Sequence, residues 1–245
     1  MRNIWTIAKR EYNHYFISPI AYVVAFTILL VLGIIFALVI YSSAQNAMYG
    51  STPDISPIIG SFAFLLVLSI PALTMRLLAD ENRMGTMELL LTAPVRDSEL
   101  IIGKWLGGLL FILTVVGITF VYPIILNSLV EPGIDQGAMI TSYLGLILLA
   151  ASFLAIGVGI SALFSNQVAA FFVTMVALVF LWWLMGFPAD YVQKGGEIFR
   201  YLDLQSHFQS LGQGKILLSD VVYFLSLIAM GLFTGTMAVE TRRWR

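Results

Sequence analysis

The sequence predicts an all-α integral membrane protein with six transmembrane helices. Apolar residues make up 59% of the 245 residues, above the roughly 45–50% expected of a soluble globular chain. Residues 136 to 189 contain no charged side chain, and a stretch of that length crosses a bilayer more than once, because one crossing needs about 20 residues. No alternating barrel pattern is present, and backbone hydrogen bonds in the hydrocarbon core must be satisfied within each segment. The spans are therefore predicted to be helices.

Turn residues and charged clusters divide the apolar runs into six predicted spans. They cover residues 20–41, 58–78, 105–129, 140–164, 168–187 and 220–239. The first run is longer than the roughly 7–15 residues of a signal-peptide core, so a retained membrane anchor is predicted. Pro71 and Pro123 are candidate kinks. Gly103, Gly107 and Gly159 predict small faces on which helices approach closely.

The distribution of Lys and Arg predicts that both termini are cytoplasmic. The N-terminal segment, the second connection and the C-terminal tail together carry ten of these residues, whereas the first, third and fifth connections carry three. Cytoplasmic connections hold the excess of positive charge. Because the net charge is only −1, no nucleic-acid partner is expected.

The N-terminal residues 1–19 are predicted to form an amphipathic helix that lies in the membrane interface. Apolar and aromatic side chains of residues 3 to 16 fall within about 120° of a helical wheel, and cations lie opposite. Such a helix places its aromatic rings at headgroup depth and its cations near lipid phosphates. The predicted interfacial anchors are Trp5, Lys9, Arg10, Tyr12 and, near the cytoplasmic end of the second span, Arg76. A plain positively charged flank is the alternative for this segment.

The second connection, residues 79–104, contains a short apolar helix between charged ends. Gly85 and Pro94 bracket at most about two helical turns, because proline disfavours helix at the residue before it. Met87, Leu90 and Leu91 share one face of this helix. A helix so short is not stable alone in water, so it needs a surface to dock on. That surface is either the bilayer interface or a partner protein.

No catalytic, cofactor-binding or metal-ligating set is predicted in this chain. The sequence has no cysteine, which excludes disulfides and Cys-based metal sites. His207 is not expected to bind a metal, because the other histidine, His14, lies across the membrane. Nucleotide-binding motifs of the Walker type are absent, so any ATP must be hydrolysed by another chain. No ionisable residue lies in the middle of a predicted span, where ion-coupled carriers usually keep one.

The second connection and its surroundings resemble the ABC-2 permease family. The resemblance is carried by Ile70-Pro71, Met75-Arg76, Asp80-Glu81, residues 85–92, Pro94 and Gly103-Lys104. Within that family the chain is most similar to the permeases of bacterial gliding-motility (Gld-type) transporters. A second match, Ser206-His207-Phe208 followed by residues 220–227, resembles the entry to the last span of that branch.

The resemblance implies the permease subunit of an exporter in the bacterial inner membrane, which works with a separate ATPase subunit.

 Residues 85–94 would be the cytoplasmic coupling region, which fits into a groove on the ATPase. Its residues are Gly85, Thr86, Met87, Glu88, Leu90, Leu91 and Pro94, with Glu88 as the polar contact and the apolar side chains as the plug.

The resemblance also implies the remaining partners. ATP and Mg are bound by the ATPase subunit and not by this chain, and a second permease copy or homologue completes the membrane core. The external connection, residues 188–219, would form short helices that dip into the outer leaflet, with His207 and Phe208 as gate residues. For this connection an ordinary amphipathic loop is the alternative, and for Glu88 it is a solvated carboxylate on an interfacial helix.

Two other functions stay compatible with the sequence. One is a non-transporting membrane scaffold of a motility or envelope complex. The other is a channel or ion-coupled carrier, against which the uncharged span interiors argue. Absence of a co-purifying ATPase would favour the scaffold, and transport in proteoliposomes without an ATPase would favour the channel or carrier.

Overall fold

A computed structural model describes residues 2–45, 54–84, 95–130, 133–187 and 196–243. Within these ranges the chain forms helices and no strand. The helices are α1 (Arg2–Tyr15), α2 (Pro19–Gln45), α3 (Ser56–Thr74), α4 (Ala79–Met84), α5 (Asp97–Thr119), α6 (Val121–Leu129), α7 (Gln136–Leu163), α8 (Gln167–Val179), α9 (Gly196–Leu202), α10 (Leu204–Gly212) and α11 (Leu218–Arg243). A π-helical turn, Phe180–Leu184, extends α8.

Six helical stretches in the described ranges are long and apolar enough to cross a membrane, which confirms the predicted all-helical fold with six candidate membrane spans. They are Pro19–Gln45, Ser56–Glu81, Asp97–Leu129, Gln136–Leu163, Gln167–Leu184 and Leu218–Thr241. The third stretch begins at Asp97, whereas the sequence predicts a start at 105. The sequence predicts a start directly after Lys104, because a charged residue normally ends an apolar run. In the structure Lys104 is buried within the helix and its charge is neutralised by two carboxylates.

Helix α7 is the centre of the bundle. It contacts α3, α4, α5, α8, α10 and α11, and most of its apolar length is buried, whereas α2 and α8 are mostly exposed. Its contact with α11 is close because both helices present glycine: a Cβ at Gly159 would lie 2.6 Å from the carbonyl oxygen of Gly231. Small residues permit such backbone approach between membrane helices, which confirms the predicted small face at Gly159.

The third span is interrupted between α5 and α6, as the candidate kink at Pro123 predicts. Proline has no N–H to donate to the carbonyl four residues earlier, and that carbonyl belongs to Thr119. The Tyr143 hydroxyl donates to it instead, at 3.0 Å. The other candidate kink, Pro71, lies inside α3, which continues to Thr74.

The second span turns between α3 and α4, and α7 supplies the hydrogen bonds that this turn lacks. The Ser161 hydroxyl accepts from the backbone N–H groups of Leu78 and Ala79, each at 3.2 Å. It also donates to the carbonyl of Met75 at 3.4 Å. Buried backbone groups without partners are costly, so this serine fixes where α4 begins relative to α7.

Candidate functional site

The predicted coupling residues lie outside the described part of the chain. Gly85, Thr86, Met87, Glu88, Leu90, Leu91 and Pro94 all fall in residues 85–94, and their role stays a prediction. The helices on either side of them are described: α4 ends at Met84 and α5 begins at Asp97. The geometry that bears on coupling is therefore the way these two helix ends are held.

A buried lysine joins the two helix ends. Lys104 on α5 is 1% exposed, and its Nζ lies 3.1 Å from Oε1 of Glu11 on α1 and 2.9 Å from Oε1 of Glu81 on α4. Arg10 Nη2 lies 2.9 Å from the same Glu11 oxygen. We call Lys104, Glu11, Glu81 and Arg10 the Lys104 cluster. It connects three helices, two of which flank residues 85–94.

Helix α1 reaches Lys104 because glycines on α5 let the two backbones approach. A Cβ at Gly103 would lie 2.7 Å from the Cβ of Ile7, and one at Gly107 would lie 2.6 Å from the Cβ of Glu11. Asn3 Nδ2 also donates to Glu99 Oε2, at 3.2 Å. The predicted small face at these glycines is thus confirmed, and its partner is the N-terminal helix.

Electrostatics favours the ionised form of Glu11. Burial raises the pKa of this carboxyl, but the Lys104 ammonium and the Arg10 guanidinium outweigh burial and hold the pKa below its ordinary value of 4.5. Burial beside Glu11 raises the pKa of the Tyr15 hydroxyl, which donates to the carbonyl of Leu73 at 3.4 Å. Glu11 is therefore ionised at neutral pH, and its neighbour Tyr15 is a neutral phenol.

Acid is expected to weaken the contact between α1 and α5. A carboxyl whose pKa is depressed in the folded state stabilises that state above its unfolded pKa, and this contribution is lost as pH falls through the folded value. We expect the thermal midpoint of the purified chain in detergent to fall more steeply below about pH 4.5 than that of Glu11→Gln. Parallel pH curves for the two proteins would contradict the assignment.

The predicted interfacial anchors occupy different environments. Trp5 is 59% exposed, and Lys9, Arg10 and Arg76 are exposed as well. Tyr12 is half-buried, and its hydroxyl lies 3.1 Å from that of Thr114. Arg10 also contacts Glu11, so it is more than an anchor. Their placement in a membrane interface stays a prediction.

The aromatic face predicted for the N-terminal helix is divided in the structure. Ala8 and Tyr15 are buried against the bundle, and the Tyr15 ring stacks on Phe111 with centroids 5.0 Å apart. Trp5 and Phe16 remain exposed. The helix therefore packs on α5 along one side and offers only part of its aromatic surface to its surroundings.

His207 and Phe208 lie on α10, between the fifth and sixth candidate spans, and are buried. His207 Nδ1 lies 2.8 Å from Asp220 Oδ1 on α11, and its Nε2 lies 2.8 Å from the Tyr201 carbonyl oxygen. The ring stacks on Tyr223 with centroids 4.2 Å apart. These contacts hold the predicted external connection against the last span, and a gating role stays a prediction.

The sequence does not by itself predict the ion pairs of the Lys104 cluster or the contact between Asp220 and His207. The available signal was a lysine directly after Gly103 at the start of an apolar helix, because a small face beside a charge indicates a close helix that carries the opposite charge. In the described part of the chain, no group of three His, Asp or Glu residues is arranged to hold a metal ion.

Comparison with known proteins agrees with this architecture. The profile of the ABC-2 family transporter proteins matches residues 5–239, which includes all six spans apart from the last residues of the sixth. No curated protein matches the chain. Because the family match extends over nearly the whole sequence, the chain belongs to the ABC-2 transporter family.

Proposed function

We propose that the chain is the membrane-spanning permease subunit of an ABC-2 type exporter, driven by a separate ATPase subunit. Family membership and six apolar helices support a membrane permease. ATP and Mg are assigned to the partner ATPase, since this sequence has no Walker-type motif. The Gld-type branch, the bacterial inner membrane and cytoplasmic termini are parts of the same proposal, drawn from sequence resemblance and from the Lys and Arg count.

The observation that carries this proposal is the Lys104 cluster. Residues 85–94 lie in the connection between α4, which ends at Met84, and α5, which begins at Asp97. Glu81 and Lys104 join those two helices, and Glu11 adds α1. A displacement of the coupling segment by an ATPase therefore moves three connected helices together, which is what transmission of force into the membrane requires.

A second permease copy or homologue completes the proposed transporter. Helices α2 and α8 are apolar and mostly exposed in the single chain. Large exposed apolar surfaces mark contacts with lipid or with protein. Such surfaces leave room for a second permease beside the bundle.

The coupling assignment predicts the effect of two changes in residues 85–94. We expect Leu90→Asp with Leu91→Asp to weaken association with the ATPase at least about tenfold, because a charge in an apolar groove costs more than about 1.4 kcal/mol. We expect a similar loss for Glu88→Lys, because it reverses the charge of the polar contact. Co-purification of the ATPase from detergent-solubilised membranes measures this.

A double variant at a second pair of adjacent leucines is the matched control. Leu217 and Leu218 are both exposed and lie at the start of α11, on the other side of the proposed membrane. Their change to Asp should leave the ATPase bound. Membrane insertion of all variants is checked by carbonate extraction. If the ATPase stays associated with both coupling variants, the coupling assignment is wrong.

A further inference from the structure

A cleft of about 620 Å³ opens beside the Lys104 cluster. Its walls come from the C-terminal half of α1, the first turn of α2 and the segment that runs from the end of α3 to α4. Volumes of roughly 300–1,000 Å³ are typical of sites for small ligands. We call this space the Arg76 cleft.

Most charges in the Arg76 cleft neutralise one another. Lys104 contacts Glu11 and Glu81, and Arg10 contacts Glu11. These four groups are two cations and two carboxylates. Their charges sum to zero, so these four groups do not by themselves attract an anion.

Arg76 and Asp80 are the charges that remain. Both line the cleft, and the side chain of neither has a hydrogen bond or ion pair to any residue in the described ranges. Arg76 is exposed and Asp80 is half-buried. A guanidinium binds phosphate through paired hydrogen bonds, and a carboxylate accepts hydrogen bonds from an ammonium. The cleft thus offers one site for each end of a zwitterion.

The cleft also has an apolar lining, which includes Ile17 and Ile20 near the start of α2 and Leu73 and Leu77 near the end of the second span. The polar residues Asn13, His14 and Ser18 line it as well. Both places are ends of candidate membrane spans, which lie at the depth of lipid headgroups. A ligand that approaches from the bilayer there brings a polar headgroup and an acyl chain together.

We propose that the Arg76 cleft binds a phospholipid whose headgroup carries both a phosphate and a primary amine, as in phosphatidylethanolamine. The phosphate contacts Arg76, the ammonium contacts Asp80, and an acyl chain lies on the apolar wall formed by Ile20 and Leu73. Phosphatidylcholine presents the same phosphate but has no N–H to donate to Asp80. The site therefore distinguishes the two lipids through the carboxylate.

Native mass spectrometry of the full-length chain, purified and delipidated in detergent, tests the proposal. With equal concentrations of phosphatidylethanolamine, phosphatidylcholine and phosphatidylglycerol, we expect phosphatidylethanolamine to bind most. Arg76→Gln should weaken its binding about tenfold, as expected for loss of a charge-assisted contact. Asp80→Asn should remove the preference over phosphatidylcholine while binding of both lipids persists. Arg83→Gln, at an exposed arginine of α4 outside the cleft lining, is the matched control and should change nothing.

Three results would overturn the proposal. Equal losses in Arg76→Gln and Arg83→Gln would mean that only the overall positive charge matters. Stronger binding of phosphatidylglycerol than of phosphatidylethanolamine would remove any role for Asp80 in choosing the headgroup. Displacement of the lipid by an equal concentration of glycerophosphoethanolamine or inorganic phosphate would show that the ligand is a soluble phosphate and not a lipid.

Discussion

Replacement of Lys104 by Met is expected to lower the free energy of unfolding by about 3–5 kcal/mol, because it removes the ammonium from between two carboxylates. Lys104 is 1% exposed, and its Nζ lies within 3.1 Å of Glu11 and Glu81. Methionine keeps the volume and apolar character of the lysine stem, so the loss reports charge and not packing. Unfolding of the detergent-solubilised protein by SDS titration measures the change.

Two further variants separate this explanation from a general effect of losing a cation. Lys9→Met removes an exposed lysine from α1 and should change stability by less than about 0.5 kcal/mol. Adding Glu11→Gln and Glu81→Gln to Lys104→Met should restore most of the lost stability, since no charge is then left buried without its counter-ion. If the triple variant is less stable than Lys104→Met alone, the cluster is not held together by charge.

Replacement of Gly231 by Val is expected to separate α7 from α11. A Cβ at this position would lie 2.5 Å from the carbonyl carbon and 2.7 Å from the carbonyl oxygen of Ala155. These are backbone atoms, which cannot rotate aside as the end of a side chain can. Overpacking of a well-packed core typically costs about 1–3 kcal/mol, and we expect this variant to reach or exceed the upper end. The thermal midpoint measured by fluorescence-detected size exclusion reports it.

Gly117→Val is the matched control for this change. Gly117 also lies in an apolar helix, but a Cβ there meets nothing within 4 Å. Its substitution should leave the thermal midpoint unchanged or raise it, because glycine is a poor helix former. Equal losses at Gly231 and Gly117 would show that the close approach of the two helices does not limit stability.

The membrane spans and several packing details could be predicted because they depend on local sequence. Apolar runs of about 20 residues identify membrane helices directly. Small residues at Gly103, Gly107 and Gly159 indicated close faces, and Pro123 indicated the break that separates α5 from α6. Each of these signals follows from the size or backbone chemistry of one residue. None of them requires knowledge of which helix lies opposite.

The contacts around the candidate site could not be predicted because they depend on tertiary packing. Glu11 and Lys104 are 93 positions apart in the sequence, and many other carboxylates could have been the partner of this lysine. The third span begins at Asp97, ahead of the predicted 105, and includes the buried Lys104. His207 and Asp220 are only 13 positions apart, but the fold of the connection between the fifth and sixth spans decides whether they meet.

The most direct test of a permease driven by a separate ATPase is isolation of the full-length chain from its native membrane in mild detergent, followed by quantitative mass spectrometry. We expect an ATPase of the ATP-binding cassette class in an amount equal to that of the permease, and loss of that ATPase when Leu90 and Leu91 are both changed to Asp. A stable, monodisperse assembly that contains the chain and no such ATPase would contradict it and would favour a membrane scaffold.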